Sequence, residues 1–251
     1  MKTISKISIF IVCISLFFSC KKNDSPAVAT VKTYVSKITY SSVGTYDYTY
    51  DDQGRLQQEV YSGNAFNPAT TTYFTAYDAQ GRITQTTTYY PAGTYAQVKS
   101  VLTYNGSGNL TRTDSYPYGS TVANQYTLFT YSTNKITLAY FNGAGASQGS
   151  TEYTLSADGK NITGTKGFTA AGAVSYESIY TFDTHICPDQ LFPVGYAYSP
   201  VQNSNNWLTR AQTISGTTTN LTFTYEYNSD GYVTKRTASS GSTSIYEYIK
   251  K

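Results

Sequence analysis

The feature that most constrains this chain is a segment that recurs every 27 residues. The segments YTYDDQGRL (48–56), TAYDAQGRI (75–83) and LTYNGSGNL (102–110) align without gaps. Their third-position tyrosines are Tyr50, Tyr77 and Tyr104, and Tyr131 follows at the same spacing in FTYSTNKI (129–136). A fixed period of this length indicates one supersecondary unit copied in tandem.

Three further copies continue the series less regularly. LSADGKNI (155–162) begins a fifth copy, Phe182 and Asp183 begin a sixth, and YEYNSDGYV (225–233) carries the last. The fourth copy has one residue fewer than the first three between its tyrosine and its aliphatic residue, and the fifth has one more. The turns of these two copies must therefore differ from the others.

Each copy has the pattern of a β-hairpin. Before the first turn Tyr46, Tyr48 and Tyr50 alternate with polar residues, and this period of two is typical of a strand with one buried face. The turn itself reads Asp/Asn-x-x-Gly, as in residues 51–54, where the Asx side chain bonds the backbone and glycine accepts a positive φ.

The register of the hairpins also follows from the pattern. A three-residue loop with glycine in the left-handed position is a common hairpin connection. A two-residue turn would place Leu56 opposite Asp51. We therefore predict the three-residue form, which pairs an aromatic with an aliphatic residue on one face in four copies: Tyr50 with Leu56, Tyr77 with Ile83, Tyr104 with Leu110, and Tyr227 with Val233.

These units predict an all-β fold with about sixteen antiparallel strands in an up-and-down meander. A lone strand near residues 31–40 precedes seven hairpins, and a closing strand follows near residues 243–250. No helical pattern appears after the N-terminal segment. Because a long open sheet exposes two reactive edges, we expect a closed or nearly closed barrel-like sheet or a strongly twisted solenoid.

The N-terminal residues have the features of a targeting segment. Lys2 and Lys6 precede an apolar run at residues 7–18, which is too short for a membrane-spanning helix. LFFSC (16–20) then predicts a lipobox, with lipid attached to Cys20, although an ordinary signal cleaved near Ser19 is the alternative. We predict a signal peptide at 1–19, a tether at 20–29 and a single repeat domain at 30–251, with an insertion loop at 184–206.

The sequence resembles known families at several motifs. YTYDDQGRL resembles the YD repeat of bacterial Rhs proteins, which builds large β shells. Over residues 20–250 the chain is more similar to a family of Bacteroidetes-type lipoproteins of unknown function. The motifs are CKKND (20–24), DTHICPDQLFPVGYAYSPVQNSNNW (183–207) and YEYNSDGYVTKRT (225–237). This resemblance implies a porin-like fold of closed antiparallel sheet and supplies no known activity, ligand or catalytic residue.

Composition and motifs argue against several functions. Lys2 and Lys6 lie in the predicted signal, which leaves 16 of the 18 basic residues against 15 acidic ones, and no basic stripe suggests nucleic acid. His185 is the only histidine, and with Cys187 and Asp189 it forms too loose a set for a metal site. We therefore predict no enzymatic activity, no catalytic residues, no metal and no cofactor.

The remaining cysteine and the acidic residues have structural explanations. Cys187 has no partner in the mature chain, so no internal disulfide is predicted, and a buried thiol is favoured over a reactive one. Five of the 15 acidic residues lie in the repeat turns, where turn chemistry explains them: Asp51, Asp52, Asp78, Asp158 and Asp230. In the strand after Gly108 one face carries Arg112 and Asp114, which is incompatible with acyl chains, so we predict a soluble barrel.

Tyrosine, with 27 copies, gives the main functional indication. Its ring stacks and its hydroxyl forms hydrogen bonds, which suits glycan or peptide recognition. The repeat tyrosines are more simply core and cross-strand residues. The ligand-binding candidates are therefore aromatic residues near loops: Tyr116, Tyr118, Tyr196, Tyr198 and Trp207.

These observations predict an envelope protein. We expect an outer-membrane lipoprotein on the periplasmic or cell-surface side, held to the membrane through the lipid on Cys20. Its expected role is that of a scaffold or binding module with a glycan or protein ligand, and a surface glycan-binding accessory lipoprotein is the alternative. The sequence does not identify the ligand.

Overall fold

The computed structural model describes residues 31–63, 68–91 and 97–251. The predicted signal peptide, the lipidation site at Cys20 and the tether lie outside the described residues. Within the described ranges no helix is long and apolar enough to cross a membrane.

The described chain contains sixteen strands. The first eight are β1 (Thr33–Tyr40), β2 (Gly44–Tyr50), β3 (Leu56–Tyr61), β4 (Thr70–Tyr77), β5 (Ile83–Tyr89), β6 (Gln97–Tyr104), β7 (Leu110–Pro117) and β8 (Gln125–Ser132). The second eight are β9 (Lys135–Asn142), β10 (Ser147–Leu155), β11 (Ile162–Phe168), β12 (Val174–Ile186), β13 (Asn205–Ile214), β14 (Thr217–Tyr227), β15 (Val233–Ala238) and β16 (Thr243–Lys250).

The strands form a closed barrel in which every strand pairs antiparallel with its neighbours in sequence, and β1 pairs with β16. The predicted all-β, up-and-down meander of sixteen strands is therefore confirmed, and closure leaves no free strand edge among the described strands. The expectation of no helix needs a small correction. Two short 3₁₀ helices, Pro188–Leu191 and Tyr196–Tyr198, lie in the insertion between β12 and β13, where no repeat pattern constrains the chain.

The predicted register is also confirmed. Each of the four predicted aromatic and aliphatic pairs is present, including Tyr50 with Leu56 and Tyr227 with Val233. In the first turn the Asp51 amide donates to the Arg55 carbonyl, and Gly54 has a φ of 75°. This is a three-residue loop closed by a left-handed glycine. The fourth copy has a two-residue turn instead, because Ser132 pairs with Lys135.

Apolar side chains fill the inside of the barrel near the turns of the repeat. Two clusters of buried residues share inward positions on the strands: Val35, Ile38, Tyr48, Tyr50 and Leu56 with Phe192 of the insertion, and Ile83, Leu102, Leu110, Phe129, Ile136 and Leu138. Outward positions carry charged residues in mid-strand. Examples are the ion pairs Lys37–Asp47 at 3.4 Å and Lys166–Glu177 at 3.8 Å.

Candidate ligand-binding cavity in the barrel lumen

The repeat tyrosines have a structural role. The hydroxyl of Tyr104 donates to the Ile83 carbonyl at 2.7 Å, and Tyr131 donates to the Leu110 carbonyl at 2.8 Å. Backbone pairing between β5 and β6 begins only at Gln85, so the Ile83 carbonyl has no backbone partner on that side. The same bridge from a tyrosine to a neighbouring strand recurs at Tyr50 to Val35, Tyr77 to Leu56, Tyr225 to Trp207 and Tyr248 to Val233.

The insertion between β12 and β13 folds into the barrel. Its irregular part runs over residues 187–204, since Ile186 pairs with Asn205 at its base. On one side of the lumen the Ile83 amide donates to the Val194 carbonyl at 3.1 Å. On the other side the Ile162 amide donates to the Asn203 side chain at 2.8 Å. The insertion therefore crosses the lumen from β12 to β5 and returns.

The tip of the insertion has an unusual backbone conformation. Gly195, Ala197 and Tyr198 all have positive φ, at 90°, 52° and 55°. Such angles cost about 1 kcal/mol or more for residues other than glycine and are maintained only by surrounding contacts. The Tyr198 hydroxyl is 3.0 Å from the Thr86 hydroxyl, and Gly195 lies so close to Tyr104 that a Cβ atom would be 2.2 Å from its hydroxyl.

A cavity of about 620 Å³ lies between this tip and the inner faces of β1 to β5. Its lining includes six tyrosines and a phenylalanine, together with three threonines and one carboxylate. The lining residues that the following argument uses are Tyr46, Tyr48, Glu59, Phe74, Tyr196 and Tyr198. A volume of this size is within the usual range for small-molecule sites.

Glu59 is the only acidic or basic side chain among the described residues that line this cavity. The Tyr196 hydroxyl donates to a Glu59 carboxylate oxygen at 2.6 Å, and the Tyr48 and Tyr196 hydroxyls are 2.9 Å apart. Because Tyr196 has a single proton and gives it to Glu59, Tyr48 donates to Tyr196. Burial raises the pKa of the Glu59 carboxyl, and the bond from Tyr196 offsets part of this increase.

The aromatic rings around Glu59 are held by one another. The Tyr196 ring stacks on Phe192 at 4.1 Å between centroids and lies 6.2 Å from the Phe74 ring. Tyr48 meets both Phe192 and Tyr196 edge to face. Burial, and then the negative charge of Glu59, raise the pKa of Tyr48. These contacts fix the position of the rings before any ligand enters.

Two smaller cavities lie on the far side of the insertion. One of about 220 Å³ is lined by Cys187, Asp189 and Arg236, among others. Asp189 is deep in the barrel, yet its side chain is exposed to the cavity. Burial raises the pKa of the Asp189 carboxyl, and the Cys187 thiol and the charge of Arg236 oppose this increase. The Cys187 thiol itself has a strongly raised pKa because of burial, which disfavours the reactive thiolate.

The other cavity, of about 330 Å³, is lined by Tyr180 and Trp207, whose rings stack at 4.7 Å. Ser178 lines it as well and is 1% exposed. The Ser178 hydroxyl, Trp207 Nε1 and Arg210 Nε are buried, and none has a hydrogen-bond partner among the described residues. No group of three His, Cys, Asp or Glu side chains in the described part of the chain is placed to bind a metal ion.

The structure separates the predicted ligand-binding residues into three places. Tyr196 and Tyr198 lie together in the large cavity, and Trp207 lies in the cavity beyond the insertion. Tyr116 and Tyr118 are outside the barrel, where the Lys99 ammonium lies 4.5 Å from the centre of the Tyr116 ring and Tyr118 is 72% exposed.

Sequence reasoning missed the wall of the large cavity, including Tyr46, Phe74 and Glu59. Strict alternation gives no signal for Glu59. With Tyr50 opposite Leu56, a constant register would place Gln58 opposite Tyr48 and turn Glu59 outward. The structure has a one-residue shift of register between Thr49 and Tyr50, which places Glu59 opposite Tyr48 and turns its side chain inward.

Aromatic residues also form a row on the outer face of β4 to β9. Tyr73 meets Tyr89 edge to face at 5.6 Å, and both are more than 40% exposed. Farther along, Tyr126 stacks on Phe141 at 4.9 Å, with the Arg112 guanidinium 4.3 Å above the Tyr126 ring. We call these residues, together with Tyr116, the outer aromatic row.

Comparisons with known proteins show a similarity of fold. No family model matches the chain, and no curated protein matches it. A porin-like protein from Bacteroides uniformis is 16% identical, with 86% of this chain and 98% of that chain covered and a TM-score of 0.53.

Two other solved structures are more distant. A porin-like protein from Bacteroides vulgatus is 13% identical, with 87% of this chain and 99% of that chain covered and a TM-score of 0.46. The Tc holotoxin pore of Photorhabdus luminescens is 14% identical, with 82% of this chain but only 9% of that chain covered and a TM-score of 0.31. The first of the three similarities shows that this chain shares a porin-like barrel fold, and at this identity it shows the fold alone.

Proposed function

We propose that this protein is a lipid-anchored binding module of the bacterial cell envelope that holds a small molecule inside its barrel. The observation that carries the proposal is the cavity of about 620 Å³ between β1 to β5 and the tip of the insertion. Its aromatic walls and hydroxyl groups are held in place by mutual contacts, and a preformed site avoids the cost of ordering side chains on binding.

The function that we propose is binding without catalysis. The described lining of the large cavity contains a single carboxylate, whereas glycoside hydrolysis typically requires a pair of carboxyl groups. We propose no cofactor and no nucleic-acid ligand. The charged residues in mid-strand on the outer face support a barrel that is attached to the membrane by lipid rather than embedded in it, since a midplane charge costs about 2–4 kcal/mol.

The anchor is proposed at Cys20, on the basis of the LFFSC segment and the similarity to Bacteroidetes-type lipoproteins. The expected location is the outer membrane, on its periplasmic or cell-surface side. Metabolic labelling with a palmitate analogue tests the anchor. The unaltered chain should be labelled and recovered in the membrane fraction, and Cys20→Ser should abolish the labelling. Labelling that survives the substitution would contradict the proposal.

Binding is tested with a soluble form that begins at residue 21. Thermal-shift screening of a metabolite library, with a glycan array and a pull-down in parallel, should identify a small ligand that raises the melting temperature. Tyr196→Ala should abolish that shift, and Tyr118→Ala, outside the barrel, should leave it unchanged. If only a protein partner is recovered and no small molecule binds, the protein is a scaffold and the proposal is wrong.

A second candidate function is glycan binding on the outer aromatic row. The observation that favours it is the exposure of Tyr73 and Tyr89, because exposed rings on a flat sheet stack against sugar faces. The glycan array distinguishes the two. A glycan whose binding is lost in Tyr73→Ala and Tyr89→Ala but kept in Tyr196→Ala assigns binding to the outer face.

A further inference from the structure

Among the described residues, the charge of Glu59 has no partner of opposite sign. Its only hydrogen-bond partner in the described chain is the neutral Tyr196 hydroxyl, and no described Lys, Arg or His pairs with it. An ionised carboxylate in a partly buried site is costly unless a cation or several donors compensate for it. Asp189 differs from Glu59 in this respect, because the positive charge of Arg236 opposes the increase that burial causes in the pKa of the Asp189 carboxyl.

The surfaces around Glu59 are suited to a cation as well. Tyr46, Tyr48, Phe74 and Tyr196 line the same cavity, and the faces of aromatic rings carry negative potential. A cation within about 6 Å of the centre of such a ring is attracted to it. A carboxylate and several rings around one space together give a site of negative potential with apolar walls.

We infer that the ligand of the large cavity is a small organic cation, with its primary or quaternary ammonium group against Glu59 and the surrounding tyrosine rings. This inference rests on the proposed function and names the chemical class of the ligand. The remaining volume of the cavity, lined by Thr72, Thr86 and Thr88, accommodates the neutral part of such a molecule and offers hydroxyl groups to it.

Other ligand classes fit the site less well. An anion would face Glu59, and the described lining residues include no lysine, arginine or histidine to compensate for the repulsion. A metal ion would have one carboxylate ligand, which is fewer than hard cations require. A neutral sugar would stack on the rings and leave the Glu59 charge uncompensated. A weakly hydrated organic cation satisfies both the carboxylate and the rings.

Calorimetric titration of the form that begins at residue 21 tests this inference. The probes are tetramethylammonium, choline, and 3,3-dimethyl-1-butanol, which has the shape of choline without its charge. We expect both cations to bind, and the neutral alcohol to bind at least tenfold more weakly. Affinity for choline should fall as the pH is lowered through the raised pKa of Glu59, because protonation removes the charge.

Three variants separate the charge from the shape of the site. Glu59→Gln should weaken choline binding at least tenfold and remove its pH dependence. Asp189→Asn removes a carboxylate from a different cavity and should leave the affinity unchanged. Tyr196→Phe keeps the ring and should change the affinity less than Glu59→Gln does.

The outcomes distinguish this inference from the proposed function. If the neutral alcohol binds as tightly as choline, or Glu59→Gln has no effect, the inference is overturned while a binding cavity remains. The inference is also overturned, and the binding cavity remains, if no ammonium compound binds but the library yields a neutral or anionic ligand whose binding Tyr196→Ala abolishes. If no small molecule of any class binds, both fail.

Discussion

Tyrosine links the strands of this barrel at the places where backbone pairing stops. At the turns of the repeat neighbouring hairpins diverge, and a carbonyl on one strand is left without a backbone partner. A tyrosine ring is long enough to bridge that gap and has a hydroxyl at its end. The arginine of a preceding turn packs over the same ring, as Arg82 does over Tyr104 at 4.4 Å. The abundance of tyrosine thus follows largely from the architecture.

Removal of one such hydroxyl should destabilise the barrel. Tyr104→Phe leaves the Ile83 carbonyl without its partner, and we expect the free energy of unfolding to fall by about 1–2 kcal/mol in denaturant titration. Tyr118→Phe is the matched control, because Tyr118 is 72% exposed and its change should be close to zero. Equal effects in the two variants would exclude the bridging role.

The Glu59 carboxylate should destabilise the folded barrel, whereas the bridging tyrosine hydroxyls stabilise it. Burial raises the pKa of Glu59, so the folded state holds the proton more tightly than the unfolded state. Its destabilising effect is therefore present above the raised pKa and disappears as the pH falls below the unfolded value. Glu59→Gln should raise the free energy of unfolding by about 1 kcal/mol at pH 7.5 and leave it unchanged near pH 3. A loss of stability at pH 7.5 would contradict this assignment.

At the scale of elements, the hairpin turn determines the register of each repeat. A left-handed glycine ends the three-residue loop, and this loop places the tyrosine opposite the aliphatic residue; beyond that pair the register shifts by one residue. A slip by one residue would turn every side chain of the strand to the other face. The insertion is the other decisive element, because it converts a hollow barrel into one with a shaped cavity.

The turn at residues 105–109 contains two glycines of different conformation. Gly108 has a φ of 86°, whereas Gly106 is not in the left-handed region and has open space around it. Gly108→Ala should reduce the free energy of unfolding by about 1–2 kcal/mol. Gly106→Ala should be neutral or slightly stabilising, since alanine restricts the unfolded chain. Thermal unfolding of the two variants tests this difference.

The insertion is fixed in the lumen by Phe192, which is 5% exposed and stacks on Tyr196. Phe192→Ala should cost about 3 kcal/mol of packing and loosen the insertion from the wall. We expect proteolytic cleavage within residues 188–203 to become faster while the strands remain protected. Val194→Ala is the control, because Val194 is 47% exposed. An insertion that stays resistant in Phe192→Ala would show that Phe192 does not hold it.

At the scale of the whole molecule, closure between the first and last strands removes the edges of the sheet. Beside the β1–β16 ladder, the Lys32 amide donates to the Lys251 carbonyl at 2.9 Å, and the Lys251 amide donates back at 3.0 Å. The two ends of the described barrel therefore meet. An open sheet of fifteen strands would expose the backbone groups of β1 and β15 to other molecules.

Truncation after Ser242 removes β16 and should convert the protein from a monomer to aggregates, as measured by size-exclusion chromatography. The matched control is a circular permutant in which a short linker joins Lys251 to Val31 and the chain opens in the connection at residues 118–124. It retains all sixteen strands and should remain a monomer with the same circular dichroism. A monomeric truncated protein would show that closure is not required.

The sequence by itself determined the hairpin, the register and the number of strands, because these depend on short-range signals. The alternation from Tyr46 to Tyr50 and the Asx and glycine residues of each turn act over only a few residues. Because they recur in several copies, the pattern is easy to recognise. The difference of the fourth turn was also predictable, since one residue fewer precedes Ile136. These local rules left the choice between a barrel and a twisted solenoid open.

Only the tertiary structure decided closure, the path of the insertion and the site. Closure depends on β1 meeting β16, more than 200 residues apart in sequence. The insertion has no repeat pattern, so its position follows from the fit of Phe192 and Tyr196 to a wall built by other strands. Glu59, Tyr48 and Tyr196 come from three distant segments, and their meeting depends on curvature and depth in the barrel, which a period of two does not encode.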